Sequence, residues 1–471
     1  MKQDEPNEVL AALLAELGWT PRALARRINR IQGSGTVAET APYHWRDSSR
    51  VPRPPLPALA AWVLSRELGR PVSVAELWQG RAAASPLMLP ADAGLDQPWT
   101  RAGAISVIDD WVISGLLDRR VFLALPASTI LAALGVNYHV VAPASLPDAW
   151  RPSGHPLLDQ IEQTIPLLQR LDDASGGGAH LAYVGAQFRA VALLLRQGHY
   201  RDEVERRILT ALAEIGHLAG WMAFDASQHG LAQRYFLTAL RAAREAGDRP
   251  ITAHVLADLA FQAASSGHAA DAVALGEIAA EAATGTPATV RASVATRLAY
   301  GYATSGRLSD FDRAYQSGLD MLADRKEGEE PSWMYFLTLG HLDAQAGYSL
   351  IHAGVLAGNS GNRRAARSMA GRGSRLLTTG AHGVSSDHPA QRRALFEGAW
   401  LAVAAAREGD LQQACDIGRI AAERTRTVKS RRSAEVLAIL SAMLRRHSRD
   451  DYVADFLPFL NSALAGEVAG R

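Results

Sequence analysis

The chain has almost no lysine. Lys2, Lys326 and Lys429 are the only three among 49 basic residues in a length of 471, and every other basic residue is arginine. None of the three follows a glycine, so the Gly-Lys-Ser/Thr end of a phosphate-binding loop is absent. Cysteine is nearly missing too: Cys415, alone, can form neither an internal disulfide nor a cysteine zinc cluster. No apolar run approaches the ~18 residues of a membrane span, and residues 1–16 mix charge with apolar positions, unlike a secretory leader. The expectation is a cytoplasmic protein with no membrane partner. Asp118-Arg119-Arg120-Val121-Phe122-Leu123 imitates a twin-arginine export signal but lies too deep in the chain to act as one.

Also lacking are His-Glu-x-x-His, the Gly-x-Ser-x-Gly elbow and a Gly-x-Gly-x-x-Gly after a strand. The 14 histidines are scattered singly, so no catalytic residue, metal or cofactor is read from the sequence. Ser175-Gly176-Gly177-Gly178, before a helical stretch, reads as a flexible turn, with anion binding the weaker alternative. The total charge is near balance at +1, so the whole chain announces no polyanion partner. Residues 1–81 nevertheless hold eleven basic against eight acidic side chains.

What remains is rich in Ala, Leu, Arg and Glu with almost no β-branched alternation, which predicts an all-α fold. Punctuation divides the chain into a compact helical unit over 1–80, a helical linker richer in proline and glycine over 81–154, and nearly continuous helical pattern over 155–471. In the linker, residues 109–134 read as an apolar helical stretch interrupted by Asp118, Arg119 and Arg120.

The third part repeats. Aligned on Gly230, Gly267, Gly306 and Gly409, the positions eight before hold Met222, Leu259, Leu298 and Leu401, and those seven before hold Ala223, Ala260, Ala299 and Ala402. Twelve after stand Ala242, Ala279, Gly318 and Ala421, and Gly361 fits in part, with Gly354 and Gly373 at matching places. A large residue beside a small one, a glycine turn, then another small residue is what two closely packed antiparallel helices need. The spacing is similar to that of the tetratricopeptide repeat family over residues 180–445, and implies an α-solenoid with a concave groove. In this register the groove candidates are His217, His254, Phe224, Phe261, Tyr300, Gln228, Thr304 and Arg407. An aromatic ladder flanked by polar side chains suits a small-molecule or peptide effector or a protein partner, while packing within the solenoid is the competing role.

In the N-terminal unit, residues 7–17 read as a helix stopped by Gly18, and Thr20-Pro21 caps a second. A short helix spans 40–46, another 57–68, and a last turn 72–77. Leu17-Gly18-Trp19-Thr20, Trp45, the Arg50 to Pro55 hook and Val72 to Leu77 resemble the helix-turn-helix of the lambda-repressor or xenobiotic-response-element type. The order Trp45-Arg46, Arg53-Pro54-Pro55-Leu56-Pro57 and Arg66-Glu67-Leu68-Gly69-Arg70-Pro71 is similar to actinobacterial regulators that join such a domain to tetratricopeptide repeats. Three departures stand out: residues 29–39 are longer than that family's tight turn, Asp47 sets a negative charge beside the groove-facing positions, and Ser48 stands where that family commonly has glycine.

The resemblance implies double-stranded DNA as a partner, a homodimer, and transcription regulation of development or secondary metabolism. If Ala41 and Trp45 face the core, Thr40, Tyr43, His44 and Arg46 are left to face base edges, with Arg22, Arg26, Arg50 and Arg53 on phosphates. Peptide-sensing quorum regulators share the architecture more distantly, but bind through groove asparagines that these repeats scarcely offer. The alternative is a tetratricopeptide adaptor with a helix-turn-helix fold that binds no DNA.

Overall fold

The computed structural model describes residues 6–32, 37–48, 50–52, 56–68, 70, 72–81, 87–88, 97, 99–108, 121–122, 130, 156–197, 200–377 and 388–469. The fold is all-α. Helices α1 (Glu8–Glu16), α2 (Pro21–Gln32), α3 (Ala41–Asp47), α4 (Leu56–Leu68) and α5 (Val74–Leu77) form the N-terminal bundle. Local chemistry sets their ends. The Asn7 side chain accepts from the Leu10 amide to start α1, Gly18 at φ +64° follows its end, and Ser73 and Glu76 form a reciprocal capping box on α5.

This bundle has its own core of Leu10, Leu14, Leu24, Ile28, Trp45, Leu64 and Trp78. Trp45 meets Trp78 edge to face at 6.0 Å, and the Trp78 indole donates to the Pro57 carbonyl at 2.9 Å. Helix α2 takes in the first four residues of the stretch that reads as a long turn, ending at Gln32. One side chain then ties α2 to the start of the chain's approach to α3: Asn29 accepts from the Val37 amide at 2.7 Å and donates to its carbonyl at 2.8 Å.

In the middle segment, α6 spans Arg101–Val107, and Leu87–Met88 (β1) pair in parallel with Val121–Phe122 (β2). The helical reading of 109–134 therefore fails at Val121 and Phe122, where the backbone is extended and paired. Asp118, Arg119 and Arg120 lie outside the described residues. Trp99 is buried under the guanidinium of Arg241, 4.3 Å away, which fixes this segment to the repeats.

The rest is a solenoid of helical hairpins. They are α7 (Pro156–Ser175) with α8 (Gly177–Gln197), α9 (Asp202–Asp225) with α10 (His229–Ala246), α11 (Arg249–Ser265) with α12 (Ala269–Ala282), and α13 (Ala288–Thr304) with α14 (Leu308–Ala323). Then come α15 (Leu339–Asn359) with α16 (Arg363–Leu377), α17 (Gln391–Glu408) with α18 (Leu411–Arg424), and α19 (Arg431–Leu444) with α20 (Asp451–Ala469). Within α8, Gly177–Arg196 is long and apolar enough to cross a bilayer; Val184, Phe188, Val191 and Leu195 of it are buried in the solenoid core.

Gly267, Gly306, Gly361 and Gly409 take the left-handed conformation at the turns, as the repeat register expects. Gly230 does not. It lies inside α10, and the equivalent turn position is Ser227, at φ +57°. The true turn of the first repeat thus stands three residues before the glycine that marks it in the sequence, because a serine occupies a conformation that favours glycine. The register of the other repeats stands, and Gly373 shows its physical basis: a Cβ there would lie 2.5 Å from the Gly347 carbonyl.

The first helices of successive hairpins pack on one another, and the series returns on itself. Helix α19 reaches α9, and α17 reaches α7. Backbone bonds seal the seam, from the Lys429 amide to the Ser175 carbonyl at 2.7 Å and from the Gly178 amide to the Lys429 carbonyl at 2.9 Å. The glycine stretch expected as a flexible turn is therefore part of the closure, and the Gly177 amide at the start of α8 donates to Asp225, a carboxylate of the protein itself.

Candidate functional site

On the N-terminal bundle, Pro42 and Trp45 bury one side of α3. Thr40 and His44 are exposed, while Tyr43 and Arg46 are half-buried. Helical spacing causes this: residues 42 and 45 face the core, 40, 43 and 44 fall on the other side, and 46, one turn after 42, lies at the edge of the buried face. Arg22, Arg26 and Arg50 are exposed, and Arg53 lies outside the described residues.

The arginines already have carboxylate partners. Glu39 accepts from both Arg22 and Arg26, the second at 3.2 Å. Hydrogen bonds from Arg26 and Arg22 hold the Glu39 carboxyl below its usual range. Arg46 makes a two-pronged contact to Asp47 at 2.6 and 3.1 Å, with its guanidinium 5.4 Å from the Tyr43 ring. The Arg46 bond likewise lowers the Asp47 carboxyl. Asp47 is legible in the sequence; Glu39, in the connection before α3, is not, since its partners Arg22 and Arg26 lie 17 and 13 residues earlier.

In the solenoid, closure puts half of the groove candidates inside. Phe224, His254, Phe261 and Tyr300 are all buried, at 2% exposure or less. The Phe261 ring lies 5.9 Å from Phe224 and 5.0 Å from Tyr300, with Trp221, Tyr348 and Phe396 adjoining. These rings fill the centre and do not line an open groove. Gln228 is exposed at the α9–α10 turn, Thr304 bonds back to the Tyr300 carbonyl at 3.1 Å, and Arg407 donates to the Val355 carbonyl at 3.3 Å. Those three are not gathered with the aromatic group. Phe224 and His217 still point inward despite the displaced turn, since a shift of three residues keeps the same helix face.

Arg432 sits within this aromatic group, 4.0 Å from the Phe396 ring centre and 5.1 Å from those of Trp221 and Phe224. The sequence gives no sign of it. A lone arginine in the seventh hairpin carries no local mark that its helix closes a ring onto the second.

A second cluster joins three first helices. His217 of α9 meets Asp258 of α11 at 2.6 Å, Arg297 of α13 donates to the other Asp258 oxygen at 2.5 Å, and His254 Nε2 lies 3.9 Å from Asp258. Burial alone would raise the Asp258 carboxyl, but the Arg297 charge and the contact with His217 hold it well below its usual range. Burial pushes His254 well below its ordinary value, so its ring is neutral. Its ring packs at a 42° tilt against Trp333, 5.0 Å between ring centres, in the connection between α14 and α15. The repeat register points to both histidines but not to Asp258 or Arg297, whose partners stand 39 to 41 residues apart.

A family model described as the SP15 N-terminal domain matches residues 10–78, to which this part of the chain is similar. The match spans the N-terminal bundle and none of the hairpins. No curated protein matches the chain.

Proposed function

We propose that the chain is a sequence-specific DNA-binding transcriptional regulator whose helical ring receives a small-molecule or peptide signal or a protein partner. The observation that supports this is the outer face of α3, where Thr40, Tyr43, His44 and Arg46 project away from buried Pro42 and Trp45, with Arg22, Arg26 and Arg50 beside them. An arginine fork matches the two acceptors of guanine in the major groove, and flanking arginines hold phosphates. The existing ion pairs are no bar, because phosphate oxygens replace carboxylates as partners of the same geometry. Two copies would present two such faces to successive major grooves, and a signal that favours one ring conformation would alter their spacing.

The test is selection of genomic DNA fragments by the purified full-length protein at about 150 mM salt, where non-specific phosphate binding is weak. A recurrent, two-fold symmetric motif that is lost on joint Arg46→Ala and Arg53→Ala substitution supports the proposal. Retention of no motif by the folded protein overturns it.

A second reading is an adaptor that holds a protein partner on its repeats. The neutralisation of Arg22 and Arg26 by Glu39, and of Arg46 by Asp47, favours it. An adaptor keeps its partner when Arg46 and Arg53 are both alanine.

A further inference from the structure

We propose that His217, His254 and Asp258 form a binding site for one transition-metal dication of the zinc type. The three ligand atoms lie within 4.8 Å of one another. A tetrahedral ion with bonds of about 2.1 Å needs neighbouring ligand atoms roughly 3.4 Å apart. Of the three separations, the two from Asp258, 2.6 Å to His217 and 3.9 Å to His254, fall on either side of that value, and none exceeds 4.8 Å. Small side-chain movements therefore make the site.

The chain supplies this arrangement by simple means. His254 and Asp258 are four residues apart on α11 and share one face; His217 comes across from α9. Two imidazoles and one carboxylate suit zinc, cobalt, nickel or copper, and poorly suit magnesium or calcium, which prefer all-oxygen sets. Arg297 binds Asp258 Oδ1 and so aims Oδ2 at the two histidines, the role an outer partner takes in metal sites.

A separate observation points to a ligand. His254 is 1% exposed, its Nδ1 has no hydrogen-bond partner, and its Nε2 at 3.9 Å is beyond hydrogen-bond distance from Asp258. Buried imidazoles are ordinarily bonded on at least one nitrogen; a metal at Nε2 would supply that bond, with the proton held on Nδ1. The side chain of His217 is 18% exposed, so an ion reaches the site from that side. Three protein ligands leave a fourth position for water or a small anionic ligand. The ion would join α9 to α11 and, through Arg297, to α13, stiffening three successive hairpins. None of this depends on DNA binding by the N-terminal bundle.

The experiment uses full-length protein stripped with a chelator, then titrated with zinc chloride alone in a calorimeter and with cobalt chloride alone in a spectrophotometer. The expected result is one zinc per chain, a raised melting temperature, and cobalt bands without thiolate charge transfer. His217→Gln, which leaves the Arg297–Asp258 pair in place, should weaken this site more than about tenfold, and His217→Cys should restore it. Absence of zinc binding by the unaltered chain, or equal binding by folded His217→Gln, overturns the proposal. Should that variant not fold, the cobalt spectrum decides: a thiolate band assigns the ion to Cys415 and overturns it, whereas nitrogen and oxygen ligation with a melting shift supports it.

Discussion

Arg432 reaches Asp225 across the seam of the ring, with Nε 3.3 Å from Oδ1, although 207 residues separate them. Asp225 is fully buried and also accepts from Ser430 Oγ at 2.8 Å and the Gly177 amide at 3.1 Å. One carboxylate thus ties the start of α8, the end of α9 and the start of α19. Removing the cation leaves that carboxylate buried with only neutral donors, a loss of about 3 kcal/mol, at the low end for broken buried pairs because two hydrogen bonds remain. Arg432→Met, which keeps the apolar stem among the rings, should lower stability by that amount in urea unfolding. Asp225→Asn in the same chain should recover part of it. An unchanged midpoint would mean that the backbone bonds at Lys429 close the ring alone.

Glu39 governs how many arginines the N-terminal face can offer. Its two partners, Arg22 and Arg26, are exposed, so the pairs stabilise the fold little and the substitution Glu39→Gln should leave the melting temperature nearly unchanged. If that face binds DNA, freeing both guanidiniums should tighten non-specific binding and steepen its salt dependence by up to about two counterions. Fluorescence anisotropy with a labelled duplex at several salt concentrations measures both. A salt slope identical to the unaltered chain would remove Arg22 and Arg26 from the contact surface.

Close approach of α15 to α16 is carried by a pair of glycines. A Cβ on Gly373 meets the Gly347 carbonyl at 2.5 Å and the Ile351 side chain at 2.7 Å, so neither a backbone nor a packed core group can yield cheaply. Gly373→Ala should cost about 1–3 kcal/mol by overpacking. The same substitution at Gly371, whose nearest contact is 3.6 Å away, should cost nothing measurable or add stability by helix propensity. Thermal unfolding of the two variants side by side separates crowding from propensity.

These examples mark the boundary of what can be read from the chain. Helix starts at Asn7 and Ser73, the stop at Gly18, and the small residues at Gly354 and Gly373 are local or periodic features, and each is visible in the sequence. The register slips where Ser227 adopts a glycine-like turn, because residue type signals a turn only when the residue is the one the backbone prefers. The ring's closure is not legible at all. It depends on the accumulated curvature of seven hairpins, and curvature leaves no residue of its own to read. For that reason the sequence shows Phe261 and Tyr300 as a ladder, yet says nothing of their burial beneath Arg432. The His217, Asp258 and Arg297 constellation escapes for the same reason, since its members belong to three different hairpins.

The buried hydroxyl of Tyr300 offers a pH test of the interior. Burial pushes that phenol up to about 12, so it keeps its proton, and its oxygen shares a hydrogen bond with Nδ1 of His352, 2.6 Å away. Burial keeps the His352 ring neutral near pH 7, lowering it to about 4 from an ordinary 6.5. With the folded value below the unfolded one, protons favour the unfolded chain. The stability that neutral His352 contributes is therefore complete above about pH 6.5 and is lost as pH falls toward 4, to a total of about 3 kcal/mol. Glu397, raised to about 7 by burial, works in the opposite direction over the same range, since its folded form holds a proton that the unfolded chain has released. The pH profile of the unaltered protein mixes these two with Glu214 and Asp172, raised by burial to about 8 and 7, and with His229, lowered by burial to about 4. Comparing it with His352→Gln isolates the histidine: the variant should be the less stable at pH 7.5, and the gap should narrow or reverse at pH 4.5. Equal pH dependence in the two chains, measured by urea unfolding, would mean that His352 is not held neutral by the aromatic interior.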